Sequence, residues 1–148
     1  MSRGEREALT GLITSLIVLA LFLWHLTDLA ANGALVGPDA LQIWARRVLV
    51  LVAWSIGIAI VVSVAFAILH AVVTGERGDD RRDERDRDID RRALTFAWYL
   101  LSFGLLGVII DLALGATALR AMNLILALCA GSEILKDALR FWLYRRGA

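Results

Sequence analysis

The sequence predicts an all-α integral membrane protein. Its fold is a four-helix bundle, both termini on the cytoplasmic side, with a charged cytoplasmic helical extension leading into the third helix. Three observations predict this. Hydrophobic residues make up 59% of the 148, and mean hydropathy is +0.67, above the apolar share usual in a soluble domain. Several apolar runs are long enough to cross a hydrocarbon layer ~30 Å thick. Between them, residues 75–92 read GERGDDRRDERDRDIDRR, in which seven Arg and eight Asp or Glu leave Ile89 as the only apolar side chain. A segment so charged does not enter a bilayer, so it divides the chain into two pairs of helices. The length is that of a single domain, 1–148.

Helix 1 is expected from Leu9 to about Leu29. The charged start MSRGER before this run also fits a signal peptide, but the run is longer than a signal core and no A-x-A site closes it. We therefore read it as a retained helix. Asn32, Gly33, Gly37 and Pro38, the one proline, form a turn. Asp39 then caps the next element. Residues 40–47, with Trp44, Arg46 and Arg47, read as an interfacial lead-in to helix 2 at about 48–73. Helix 3 is expected to lie in the membrane over 93–114 and to begin in the cytoplasm two to three turns earlier. Gly78, Asp79 and Asp80 supply a start signal, and Ile89, Ala93, Phe96, Leu100 and Phe103 continue one face. Residues 115–118 are a short turn, and helix 4 covers about 119–144.

Orientation follows from the distribution of Lys and Arg. With the amino terminus inside, thirteen basic residues lie on the inner side: Arg3, Arg6, seven in the loop, Lys136, Arg140, Arg145 and Arg146. Only Arg46, Arg47 and Arg120 lie outside. Trp24 and Trp44 then fall near the outer interface, and Trp98, Tyr99, Trp142 and Tyr144 near the inner one, as aromatic anchors do. Within the membrane, small residues mark close helix contacts. Ser55, Ala59, Ser63, Ala67 and Ala71 recur every fourth residue and predict a packing stripe on helix 2. Helix 1, with few small residues beyond its first turns, is expected to face lipid.

The charged loop carries acid–base pairs at helical spacing, among them Asp83 with Arg87 and Asp88 with Arg92. Asp83, Glu84, Arg85, Asp86, Ile89 and Arg92 are the candidate docking residues, combining carboxylates, guanidinium forks and one apolar anchor. The string Asp83-Glu84-Arg85-Asp86-Arg87, then Ile89, Arg92, Ala93 and Ala97-Trp98-Tyr99, resembles a motif of small uncharacterised bacterial multi-pass membrane proteins. In that family a DER(E/D)R-x-I-x-x-(K/R)-A string precedes a transmembrane helix. The resemblance covers about seventeen residues. It implies a small multi-pass membrane protein of unknown activity, in a family often encoded beside a helix-turn-helix regulator. Asp88 and Arg91 stand where the family tends to be apolar, so the segment is the more polar.

Three other groups of residues are candidates for chemistry. His25 and His70 differ in depth by ~20 Å, too far apart for one chain to clamp a haem. His25, Asp28 and Asp111 share a level near the outer side and could form a metal or proton site, though a hydrogen-bonded interfacial histidine is the simpler reading. On helix 4, Glu133, Lys136, Asp137 and Arg140 share one side and predict a structural ion-pair cluster, Glu133 with Lys136 or Asp137 with Arg140. Cys129, the sole cysteine, reads as a small buried thiol. No P-loop, HExxH or nucleotide-binding glycine turn is present. Helix 1 lacks the mid-membrane carboxylate of small multidrug transporters. These readings converge on a non-enzymatic regulatory or scaffold protein of the inner membrane, without cofactor or direct nucleic-acid contact. A cytosolic protein would dock on its loop. An accessory subunit of a larger membrane complex, or a small oligomeric transporter or channel, are the alternatives.

Overall fold

The computed structural model describes residues 3–33, 35–74 and 84–146. They form four α-helices: α1 Arg3–Ala31, α2 Ala40–Thr74, α3 Glu84–Ala113 and α4 Ala118–Arg146. Each is long and apolar enough to cross a membrane. A helix satisfies its own backbone hydrogen bonds, which is what such an apolar run requires where water is absent.

The helix ends are set by local chemistry. Gly33, at φ +67°, follows α1, and its N–H donates to the Ala30 carbonyl at 3.1 Å. After α3, the Gly115 N–H donates to the Leu112 carbonyl at 3.0 Å and the Ala116 N–H to that of Asp111 at 3.1 Å. This pair of bonds is a Schellman stop. It needs a left-handed residue at 115, where φ is +96°, and glycine takes that conformation without a Cβ penalty. Two residues later the Thr117 hydroxyl accepts from the Arg120 N–H at 3.3 Å and caps α4. The turn is therefore as short as the sequence suggests.

Two boundaries differ from expectation. Helix α2 is continuous from Ala40, with no break between a lead-in and a span. Nothing after Pro38 interrupts the ladder, and Trp44 and Val48, one turn apart, are buried on the same face. At 35 residues α2 is about 52 Å long. Helix α1 begins at Arg3 rather than Leu9, so its charged first turns belong to the helix.

Neighbouring helices run antiparallel. Glu7 faces Arg140 and Gly11 faces Asp137, while Glu5 reaches Arg145. On the other flank Asp90 meets Arg140, Gly104 meets Leu128 and Asp111 meets Arg120. Helix α4 is thus the central element, lying between α1 and α3 along its length. Helix α2 rests mainly on α1 and touches α4 near its own start, where the Trp44 indole N–H donates to Asn123 Oδ1 at 2.8 Å. The start of α1, the start of α3 and the end of α4 share one end of the bundle.

Small residues do mediate the closest contacts, on α1, α3 and α4 more than on the α2 stripe. Ala8 on α1, Ala93 and Ala97 on α3, and Ala121 on α4 are buried. On α2, Ser55 and Ala59 are half-buried, and Ser63, Ala67 and Ala71 are exposed on the outside of the chain. In lipid, both sides of a helix are apolar, so spacing shows that a stripe exists and not which neighbour it meets. The expectation that helix 1 faces more lipid is likewise corrected: the first half of α1 packs on α4, and α2 is the peripheral element. Large apolar side chains such as Trp54, Ile60, Val61, Phe103 and Ile109 point outward, as a bilayer-facing surface requires.

Candidate functional site

The end of the bundle that gathers the starts of α1 and α3 and the end of α4 also holds its densest polar chemistry. At its centre is Arg140, whose side chain is only 16% exposed. Its Nε lies 2.7 Å from Asp90 Oδ1 on α3. Its two terminal nitrogens lie 3.9 Å from Glu7 Oε2 on α1 and 3.8 Å from Asp137 Oδ1 on α4. One guanidinium therefore ties three helices. The Arg140 Nε–H is not aligned with the Asp90 oxygen, so the attraction is ionic rather than a directed hydrogen bond.

Asp137 is buried, and Gly11 explains how it fits. A Cβ on residue 11 would stand 2.6 Å from Asp137 Oδ2. The missing side chain on α1 is what makes room for the carboxylate. One turn back along α4, Lys136 pairs with Glu133. Both pairings that helical spacing allows, Glu133 with Lys136 and Asp137 with Arg140, are present. Sequence reasoning missed the partners from other helices, Glu7 and Asp90. Asp90 did carry a signal: it lies three and seven residues before Ala93 and Ala97, on the face that packs inward.

Above this cluster the first turns of α3 present the charged motif. Ile89 is 3% exposed and, with Ala93 and Ala97, forms the seam that joins α3 to the bundle. It is an internal packing residue and not an exposed docking anchor. The apolar side chain is worth more inside the bundle than in water. Asp86 is half-buried, and the Tyr144 hydroxyl sits against it. Glu84, Arg85, Arg87, Asp88, Arg91 and Arg92 are exposed. Arg92 bonds Asp88 at 2.8 Å. Asp83 and the start signal at 78–80 lie outside the described residues.

Comparison of the chain with protein-family models, with curated proteins and with solved structures found no match.

The opposite end of the bundle is held by separate contacts. Asp111 pairs with Arg120 at 2.9 Å across the α3–α4 turn, and Asp28 accepts from the Asn32 amide at 3.2 Å. His25 is half-buried. Among the described residues no three His, Cys, Asp or Glu side chains come together as a metal site would need. Trp44 is also more than an interfacial anchor, since it is buried and hydrogen-bonded to Asn123. Trp24, by contrast, is fully on the surface. Cys129 is exposed rather than buried.

Proposed function

We propose that this chain is a non-enzymatic regulatory or scaffold protein of a bacterial inner membrane. Both termini and the charged segment face the cytoplasm, and the exposed polar side of the first turns of α3 is the surface for a protein partner. The observation that carries this reading is the anchoring of that segment. Buried Ile89, Ala93 and Ala97 and the Asp90–Arg140 pair hold it as a fixed helix. Its exposed charges are thereby presented in one arrangement, and a partner pays little ordering entropy to read them. The basic excess at the same end supports the cytoplasmic orientation. The partner class is a cytosolic regulator or a subunit of a membrane complex.

The test is charge reversal at Glu84. Glu84→Arg adds a basic residue on the inner side, so topology is retained. A matched charge at the interface becomes a clash of several kcal/mol, so pull-down of the partner is lost. Ile89 is not suited to this experiment, because truncating it perturbs the bundle itself. A variant that keeps every interaction of the wild type would shift the reading to an accessory subunit bound through its intramembrane faces.

A further inference from the structure

Helices α1, α2 and α4 do not close on one another. Between them lies a half-open cavity of about 670 Å³, within the size range of sites for small organic ligands. The peripheral seat of α2 is its cause. The Trp44–Asn123 bond ties α2 to α4 at the outer end, and the two helices have little contact beyond it. The walls are apolar, with Val18, Phe22 and Leu26 from α1, Ile56 from α2, and Leu126 and Ala130 from α4.

One lining side chain is a carboxylate, and it is Glu133. It lies seven residues from Arg140 and thirteen from Arg120 along α4, or about 10 and 20 Å. These arginines bracket roughly the thickness of a hydrocarbon layer, so Glu133 stands within it. An ionisable group at such a depth is a functional candidate with a counter-charge to be named. Lys136 supplies that charge from one turn away. The two ends of the pair are not equivalent, however. Glu133 lines the cavity and its side chain is 60% exposed, whereas Lys136 is 25% exposed and is not among the lining residues. Lys136 also acts on Asp137, which is not a lining residue. The charge nearest the cavity is therefore negative.

We propose that this cavity binds a lipophilic monocation, an amine or onium compound with apolar substituents that enters from the bilayer. Its apolar body fills the space between α1, α2 and α4. Its charge rests at the inner end beside the Glu133 carboxylate, where low polarity strengthens the attraction. An anion of the same shape meets the carboxylate first and is rejected. This site is independent of the partner surface on α3, which contributes no lining residue.

The experiment uses the full chain in detergent micelles, with empty micelles as the control for partitioning. Equilibrium dialysis compares tetraphenylphosphonium with tetraphenylborate, two ions of like shape and opposite charge. Saturable binding of one tetraphenylphosphonium per chain is expected, with tetraphenylborate at least ten-fold weaker. Glu133→Gln is expected to weaken the cation ten-fold or more, and Glu133→Asp to restore part of the loss. Ala130→Trp fills the cavity from the α4 wall, so it removes binding while circular dichroism remains that of a helical protein. This second variant decides the matter even where Glu133→Gln does not fold. Equal binding of the two ions, an unchanged affinity in folded Glu133→Gln or Ala130→Trp, or no saturable binding overturns the proposal.

Discussion

Arg140 shows how much one side chain can hold. Its charge is shared among acids from three helices, and no other described residue meets Asp90 at ion-pair distance. Removing it leaves Asp90 and Asp137 facing each other across the α3–α4 seam with less compensation. Arg140→Ala is expected to lower the unfolding free energy in mixed micelles by about 2–3 kcal/mol, since the guanidinium is mostly buried and Asp90 only partly so. Asp90→Asn alone should cost less, because an amide occupies the same space without the charge. The two changes act through one contact, so their combined cost should fall short of the sum by more than ~0.5 kcal/mol. Strict additivity in this double-mutant cycle would show that the 2.7 Å approach contributes nothing to stability.

At the level of the element, α3 and α2 differ in what their small residues do. Ala97 is 6% exposed and sits on the packed seam, while Ala67 faces outward. Ala97→Leu inserts three heavy atoms into that seam and should cost about 1–3 kcal/mol, read as a lower melting temperature in detergent. Ala67→Leu should leave the single chain unchanged and be felt only where a second copy covers α2. Loss of stability in a monomeric Ala67→Leu protein would mean that α2 turns its stripe inward. The stripe was legible in the sequence because a spacing of four is a local property. Its direction was not legible, since Val, Ile and Leu on its flanks are as compatible with lipid as with protein.

For the whole molecule, the antiparallel arrangement brings the start of α1, the end of α4 and the start of α3 to the same end. Most of the Lys and Arg fall at that end, and Arg146 and Arg145 lie over the rings of Trp142 and Phe141 at 4.1 and 5.1 Å. A cation stacked on an aromatic face suits a headgroup boundary. Reporter fusions after Gly75 and after Ala148 should therefore give a cytoplasmic signal, and one after Gly37 a periplasmic signal. An external signal at Gly75 would invert the map and remove the cytoplasmic partner surface with it.

The sequence by itself determined the number of helices, the breaks between them and the turns at Gly33 and Gly115. Each of these depends on transfer of a local run into an apolar layer or on the φ preference of single residues. Same-helix ion pairs on α4 were legible for the same reason, because spacings of three and four set them side by side. Only the tertiary structure decided that α4 is central, that Ile89 is internal, that Glu7 and Asp90 complete the cluster around Arg140, and that a cavity remains beside α2. These are contacts between residues far apart in the chain, such as Trp44 and Asn123 at a separation of 79. In a chain whose helices are apolar on nearly every side, hydrophobic pattern does not choose a face. Close approach of small residues and pairing of buried charge make that choice, and both depend on which helix lies opposite.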